Sequence, residues 1–149
     1  MAVTIKKLEV SDLDDFTALV HVFENVFEVQ PLSAPDPARL GELLTRQDFI
    51  ALVAQAEQEV VGGLTAYLLP QYYPVKPHVY LYELAIIPDF QRQGIGRQLV
   101  DELLRYCHQI GAGEVFVQAE AIDKHAIEFY RTTGGIPMKV FHFSYPLKD

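Results

Sequence analysis

The feature that most constrains this chain is a change of hydrophobic period between Val79 and Gly111. Val79, Leu81 and Leu84 to Ile87 put β-branched and apolar residues into a run too short for a helix, closed by Pro88, and predict a strand. Leu99, Val100, Leu103, Leu104 and Cys107 then recur at three- and four-residue spacing, with Gly111 placed as a C-terminal glycine, and predict an amphipathic helix. Between them lies Gln91-Arg92-Gln93-Gly94-Ile95-Gly96-Arg97.

Two glycines at a helix start let the backbone approach a ligand closely. The amides of the first turn and the helix dipole favour an anion there, and Arg92 and Arg97 add guanidinium groups suited to phosphate oxygens. A Walker loop would need Gly-Lys-Ser/Thr, whereas Arg97-Gln98 follows Gly96. A dinucleotide fingerprint would need a third small residue where Leu99 stands.

At 149 residues, half of them hydrophobic and 21% charged, the chain is expected to form one globular domain over residues 1–149. No apolar run is long enough to span a membrane, and the opening MAVTIKKLEV lacks the apolar centre of a signal peptide. The single cysteine, Cys107, fits a cytoplasmic setting and reads as a core residue on the apolar face of its helix. Acidity is uneven: residues 1–60 hold eleven acids against four bases, and the remainder nine against eight. That placement argues against nucleic acid and for a cationic second ligand near the N-terminal half, the alternative being a solubilising face.

Thr4 to Glu9 is expected as a first strand. Ser11-Asp12 with Asp14 and Asp15 starts a helix whose stripe Phe16, Leu19, Val20, Phe23, Phe27 runs to about Val29. Pro31 to Pro37 should break it, and Pro37 opens a short helix with Leu40, Leu43 and Leu44 inward. Phe49–Ala54 and Val60–Leu69 are predicted as a hairpin turning at Glu57-Gln58, and Gly62-Gly63 suggests a bulge or a close backbone approach. Tyr72 and Tyr73 sit on a proline-bounded loop as surface or partner-contacting residues. After the central helix come a strand Glu114–Glu120, a helix Lys124–Arg131 capped by Asp123, and a last strand Val140–Tyr145. The expected class is α/β, a mixed and mostly antiparallel sheet flanked by helices.

The spacing Gln-x-x-Gly-x-Gly after a strand ending in Ile-Ile-Pro resembles the acetyl-CoA loop of the GNAT N-acetyltransferase superfamily. The element order resembles the GNAT fold, with its splayed central strands. Phe49–Ala54, Tyr67-Leu68-Leu69-Pro70, Tyr82-Glu83-Leu84-Ala85, Gly111-Ala112, Val117-Gln118-Ala119-Glu120 and His142-Phe143 are similar to the type I gentamicin 3-N-acetyltransferases. The resemblance implies acetyl transfer from acetyl-CoA to an aminoglycoside, a polycation. It implies cofactor contacts along Leu84, Ala85, Ile86, Ile87, Gln91, Arg92, Gln93, Gly94, Ile95, Gly96 and Arg97, the amides near Leu84 and Ala85 serving the acetyl carbonyl.

Such a transfer needs a base for the ammonium, a donor for the carbonyl oxygen and a proton for the leaving thiolate. Glu83, an acid in an apolar strand, is the expected base, directly or through water, or else an acid on the solvent face. Tyr130 stands where many such enzymes place the tyrosine that protonates the thiolate, or else packs. Gly134-Gly135-Ile136 departs from the usual Gly-Phe at the end of its helix. By resemblance Glu120 and Asp123, with Glu28 on the same logic, lie near the substrate amines, although Asp123 also suits a helix cap. The five histidines show no metal spacing, and no nucleophile elbow is present, so direct transfer in a ternary complex is expected. Analogy with other small relatives leaves a homodimer open. Other readings are a transferase for a small amine, polyamine or protein N-terminus, and a non-catalytic acyl-CoA-binding module.

Overall fold

A computed structural model describes residues 2–30 and 34–148. The elements are β1 Val3–Lys7, α1 Leu13–Val26, α2 Pro37–Thr45, β2 Phe49–Ala56, β3 Glu59–Leu69, β4 His78–Ile86, a 3-10 turn Pro88–Phe90, α3 Ile95–Gln109, β5 Glu114–Val117 and α4 Lys124–Thr132. The strands form one sheet in the order β1-β2-β3-β4-β5, antiparallel except for the parallel β4–β5 pair. Residues 1–118 and 119–149 are two compact units, and each is taken by itself.

In the first unit β2 is buried almost throughout because helices cover both faces of the sheet. Phe49, Ala51 and Val53 join Phe16, Leu19, Val22, Phe23 and Leu40 in one core. Ile50, Leu52 and Ala54 alternate to the other face, and α3 packs on β1 to β4 with Ile95, Leu99, Val100, Leu103 and Cys107 buried. Cys107 is 2% exposed, and burial pushes its thiol up to about 11, so the residue is an inert part of the core.

Three local expectations hold in detail. The β2–β3 hairpin turns on Glu57 and Gln58, both at positive φ (52° and 71°), the backbone of a two-residue type I′ turn built without glycine. The double glycine serves both a bulge and a close approach: β3 slips register beside it, between Ala54 and Gln55 of the partner strand. A Cβ on Gly63 would strike the Leu52 carbonyl and Leu19, and one on Gly62 would lie 2.8 Å from the Ala85 carbonyl. Gly111, at φ 83°, ends α3 as its amide donates to the His108 carbonyl and that of Ala112 to Cys107, a Schellman closure.

Other expectations are corrected. Helix α1 stops at Val26 rather than Val29, because Glu28 adopts φ 54° and turns the chain. Asp12 stands at the start of α1 but makes no side-chain cap; its carboxylate accepts from the Glu9 amide at 2.7 Å and pairs with Lys6 at 2.9 Å. β5 ends at Val117, three residues short of Glu120. The strand expected at Val140–Tyr145 is absent, the residues forming no ladder, since strand-forming residues make a strand only against a partner. Of the expected loop Pro31–Pro37, residues 31–33 lie outside the described residues.

Candidate functional site

The site begins where β4 loses a neighbour. The β4–β5 register runs from His78↔Glu114 to Leu81↔Val117 and stops, while β4 continues to Ile86. The Ile87 amide donates to the Val61 carbonyl on β3 at 2.9 Å. Backbone groups of successive residues point to opposite edges of a strand, so Ala85 faces β3, and Leu84 and Ile86 turn theirs to the edge that β5 has left. The Ile86 carbonyl accepts from Gln91 Nε2 at 2.8 Å, which ties the following turn to the strand end. The Leu84 and Ile86 amides therefore line a backbone edge with no β5 residue opposite in the register.

That edge leads into the glycine turn. Arg92 (φ 62°) and Gly94 (φ 82°) both adopt left-handed backbone, the sharp curl that aims successive amides into one concavity. Gln93 Nε2 donates to the Asp89 carbonyl at 3.2 Å across the turn. The first bond of α3 is Gln98 N–H to the Gly94 carbonyl, 3.0 Å, which leaves the Ile95 and Gly96 amides without an intrahelical acceptor. A Cβ on Gly94 would meet nothing within 4 Å, so the space before the turn is open. Arg92 and Arg97 are exposed at its rim. Helix-start amides, positive backbone curl and two guanidinium groups suit a diphosphate.

The second part of the site is made by a bulge in β4. Thr65 pairs with Glu83 and Ala66 with Leu81, so Tyr82 is the extra residue. The bulge brings Tyr82 and Glu83 together into a pocket of about 290 Å³ between α1, α2 and the sheet, lined also by Phe16, Phe23, Glu24, Phe49, Thr65 and Tyr67. Its aromatic wall is continuous: Phe16 stacks on Phe49 (5.7 Å), Phe49 meets Tyr67 edge-on (5.3 Å) and Tyr67 meets Tyr82 at 90° (5.6 Å). Burial raises the Glu83 pKa above the usual carboxylate range. Burial, with Tyr82 and Glu83 nearby, likewise raises that of the Tyr67 phenol.

Glu24, whose Oε1 lies 2.9 Å from His21 Nδ1, is the pocket's second acid. Glu28, one turn further on, is exposed and does not line it. Sequence reasoning missed Glu24, Tyr67 and Tyr82. A signal for the first existed, because Glu24 falls four residues after Val20 on the apolar stripe of α1 and interrupts it.

In the second unit Glu120 and Asp123 are exposed and Tyr130 is half-buried. Asp123 caps α4 by accepting from the Ala126 amide at 3.0 Å. The Tyr130 phenol is pushed up to about 12, by burial first and then by the Asp123 charge. The helix closes on Gly134 (φ 101°), and Gly135 donates to the Tyr130 carbonyl at 2.8 Å.

An open strand edge running into a turn suited to an anion, beside a pocket that holds a half-buried carboxylate, is an arrangement that fits acyl transfer. Residues 16–134 match the acetyltransferase (GNAT) family, and the chain belongs to that family, whose cofactor is acetyl-CoA. Among solved structures it is similar to the aminoglycoside acetyltransferase meta-AAC0020 from an uncultured soil metagenomic sample. In the complex of that protein with trehalose the identity is 43%, the coverage 98% of this chain and 97% of the other, and the TM-score 0.94. In its complex with sisomicin the identity is 42%, with the same coverage and TM-score. The [ribosomal protein bS18]-alanine N-acetyltransferase of Escherichia coli (strain K12) is 28% identical over 88 residues, 59% of this chain; the match spans 58% of that relative's length.

Proposed function

We propose that this chain transfers the acetyl group of acetyl-CoA to an amine of an aminoglycoside, first the 3-amino group of the gentamicin type, and so confers resistance to such antibiotics in the cytoplasm. The observation that carries the reading is the position of Glu83. It sits in the pocket on the residue before Leu84, so one strand joins a tuned carboxylate to the donor edge.

The cofactor, when bound, supplies an acetyl group activated as a thioester. The Leu84 and Ile86 backbone, on the edge that β5 has left, holds the acyl arm, whereas the expected amides of Ala85 and Ile87 are turned to β3; Gln91 to Arg97 hold the diphosphate. Glu83 takes a proton from the acceptor ammonium, directly or through one water, and frees the nitrogen lone pair. Tyr130 gives the proton the leaving sulfur needs; a phenol raised to about 12 stays protonated, hence able to donate, across the working pH range. Glu24 supplies negative charge within the pocket, and the resemblance assigns Glu120, Asp123 and Glu28 to further amines of the acceptor. A homodimer belongs to the same reading.

The test is release of free CoA in steady state with gentamicin, kanamycin and sisomicin, and NMR location of the acetylated nitrogen. Turnover on none of them, with turnover on small amines, would remove the aminoglycoside assignment. A second reading, acetylation of a protein N-terminus, draws on the ribosomal-protein relative and on the apolar wall of the pocket. A peptide beginning with alanine belongs in the same panel.

A further inference from the structure

A row of aromatic rings runs out of the pocket and across the sheet. Phe49 is the register partner of Tyr67, Tyr67 of Tyr80 and Tyr80 of Phe116, so four rings stand side by side on β2, β3, β4 and β5. Directly opposed residues share a face of the sheet, and at the usual strand spacing the row is about 14 Å long. It starts at Phe49, buried in the core, and ends with Tyr80 and Phe116 stacked at 4.8 Å, their planes 3° apart.

Packing accounts for most of these rings, because cross-strand aromatic pairs steady a sheet. It does not account for Tyr82. The bulge adds this residue to the row, where its ring meets Tyr67 at 90° and Tyr80 at 86°, with centroids 5.6 and 5.7 Å away. Wedged between two other rings, it is still 54% exposed. The Tyr80 hydroxyl donates to Gln118 Oε1 at 3.1 Å, whereas among the described residues the Tyr67 and Tyr82 hydroxyls have no hydrogen-bond partner. Two phenols with unpartnered tips thus line the Glu83 pocket and border the outer rings.

The chemistry of such a row is selective. A sugar ring has an apolar face of C–H groups and a rim of hydroxyls, and tyrosine matches it with an apolar ring and one hydroxyl. An ammonium on that sugar is attracted to the ring faces. Both charged residues that line the pocket, Glu24 and Glu83, are acids, which suits the same cationic sugar. A small amine would fill the pocket without reaching Tyr80 or Phe116.

We infer that Tyr67, Tyr82, Tyr80 and Phe116 are the subsite for a second ring of the acceptor, an amino sugar joined to the ring whose amine Glu83 deprotonates. The inference rests on the aminoglycoside reading above and deepens it. Glu83 selects an amine, and the aromatic row selects what that amine is attached to.

The experiment is kcat/KM of the full chain for 2-deoxystreptamine, a single aminocyclitol ring, and for kanamycin, which carries two amino sugars on that ring. It is run on the wild type, Tyr82→Leu and Phe116→Leu, with circular dichroism as the check of folding. Each variant should lower the ratio of kanamycin to 2-deoxystreptamine about tenfold, through the kanamycin KM, as the loss of one ring contact to a cationic sugar requires. A ratio that keeps its wild-type value, whether both rates fall together or neither moves, overturns the subsite and leaves the aminoglycoside assignment standing. A wild type that acetylates neither compound overturns the assignment and the subsite together. Should a variant fail to fold, or 2-deoxystreptamine turn over too slowly to measure, saturation-transfer NMR on the wild type with kanamycin decides. Irradiation of the aromatic protons should pass saturation to an amino-sugar ring; saturation confined to the central ring overturns the subsite.

Discussion

Thr65 stands opposite Glu83 across β3 and β4, while the residue before Glu83 has no partner on β3 at all. The slip breaks the alternation of sides along β4 and presents an aromatic ring and a carboxylate to one pocket. If Glu83 is the base, Glu83→Gln lowers kcat by about 10² to 10⁴ while the acetyl-CoA KM stays near its wild-type value. Stopped-time assays at saturating donor check this, and an unchanged kcat removes Glu83 from the chemistry.

Burial holds the Glu83 carboxyl above its ordinary 4.5. The rate therefore falls as pH drops through that raised pKa, and Glu83→Gln should erase this acid limb of kcat/KM. For stability the sign is opposite. A raised folded-state pKa contributes stability that is present below the unfolded value and lost as pH rises through the folded one. The glutamine variant should hence melt no lower than wild type at pH 7, a stable but slow enzyme.

Gly94 adopts φ 82° with open space where a side chain would go. Gly94→Ala meets no clash, so its cost is backbone strain of about 1–2 kcal/mol. The release of that strain by movement of the turn should weaken binding of coenzyme A. Thermal melting with and without coenzyme A separates the two effects, and the ligand-induced shift should shrink more than the unliganded Tm.

Gly63→Ala is the contrasting case, since its Cβ falls on the Leu52 carbonyl and Leu19 in the core. Overpacking against backbone costs about 1–3 kcal/mol or more. Urea denaturation should show a loss in that range with no specific effect on KM in the folded fraction.

Asp123 is a helix cap whose charge is also available to a cationic acceptor. Asparagine caps as well as aspartate, so Asp123→Asn should keep the stability that Asp123→Ala loses, about 1 kcal/mol. A rise in acceptor KM in both variants assigns the charge to substrate binding; a rise in neither leaves the residue a cap.

For Tyr130, Tyr130→Phe should cut kcat by about 10² if its proton serves the leaving sulfur. Because the phenol is pushed up to about 12, wild type should show no basic limb from it below pH 10.

The turn from Gln91 to Arg97 was legible because its chemistry is local: glycine spacing, a strand before it and a helical stripe after it. Gly62 and Gly63 were legible for the same reason, as positions where only hydrogen fits. The pocket was not. Tyr82 enters it through a register slip between two strands, and Tyr67 through its place across from Phe49, neither of which leaves a mark on one strand's own sequence. Val140 to Tyr145 misled in the opposite direction, for their strand propensity has no meaning until an edge is supplied.

Because β5 parts from β4 after Leu81, what the strand offers along that edge is main chain and not side groups. Such contacts survive almost any exchange of residue at Leu84 or Ile86. Selection is thereby free to redraw the aromatic wall and its acids, and so to change which acceptor the pocket admits, without disturbing the backbone edge beside it.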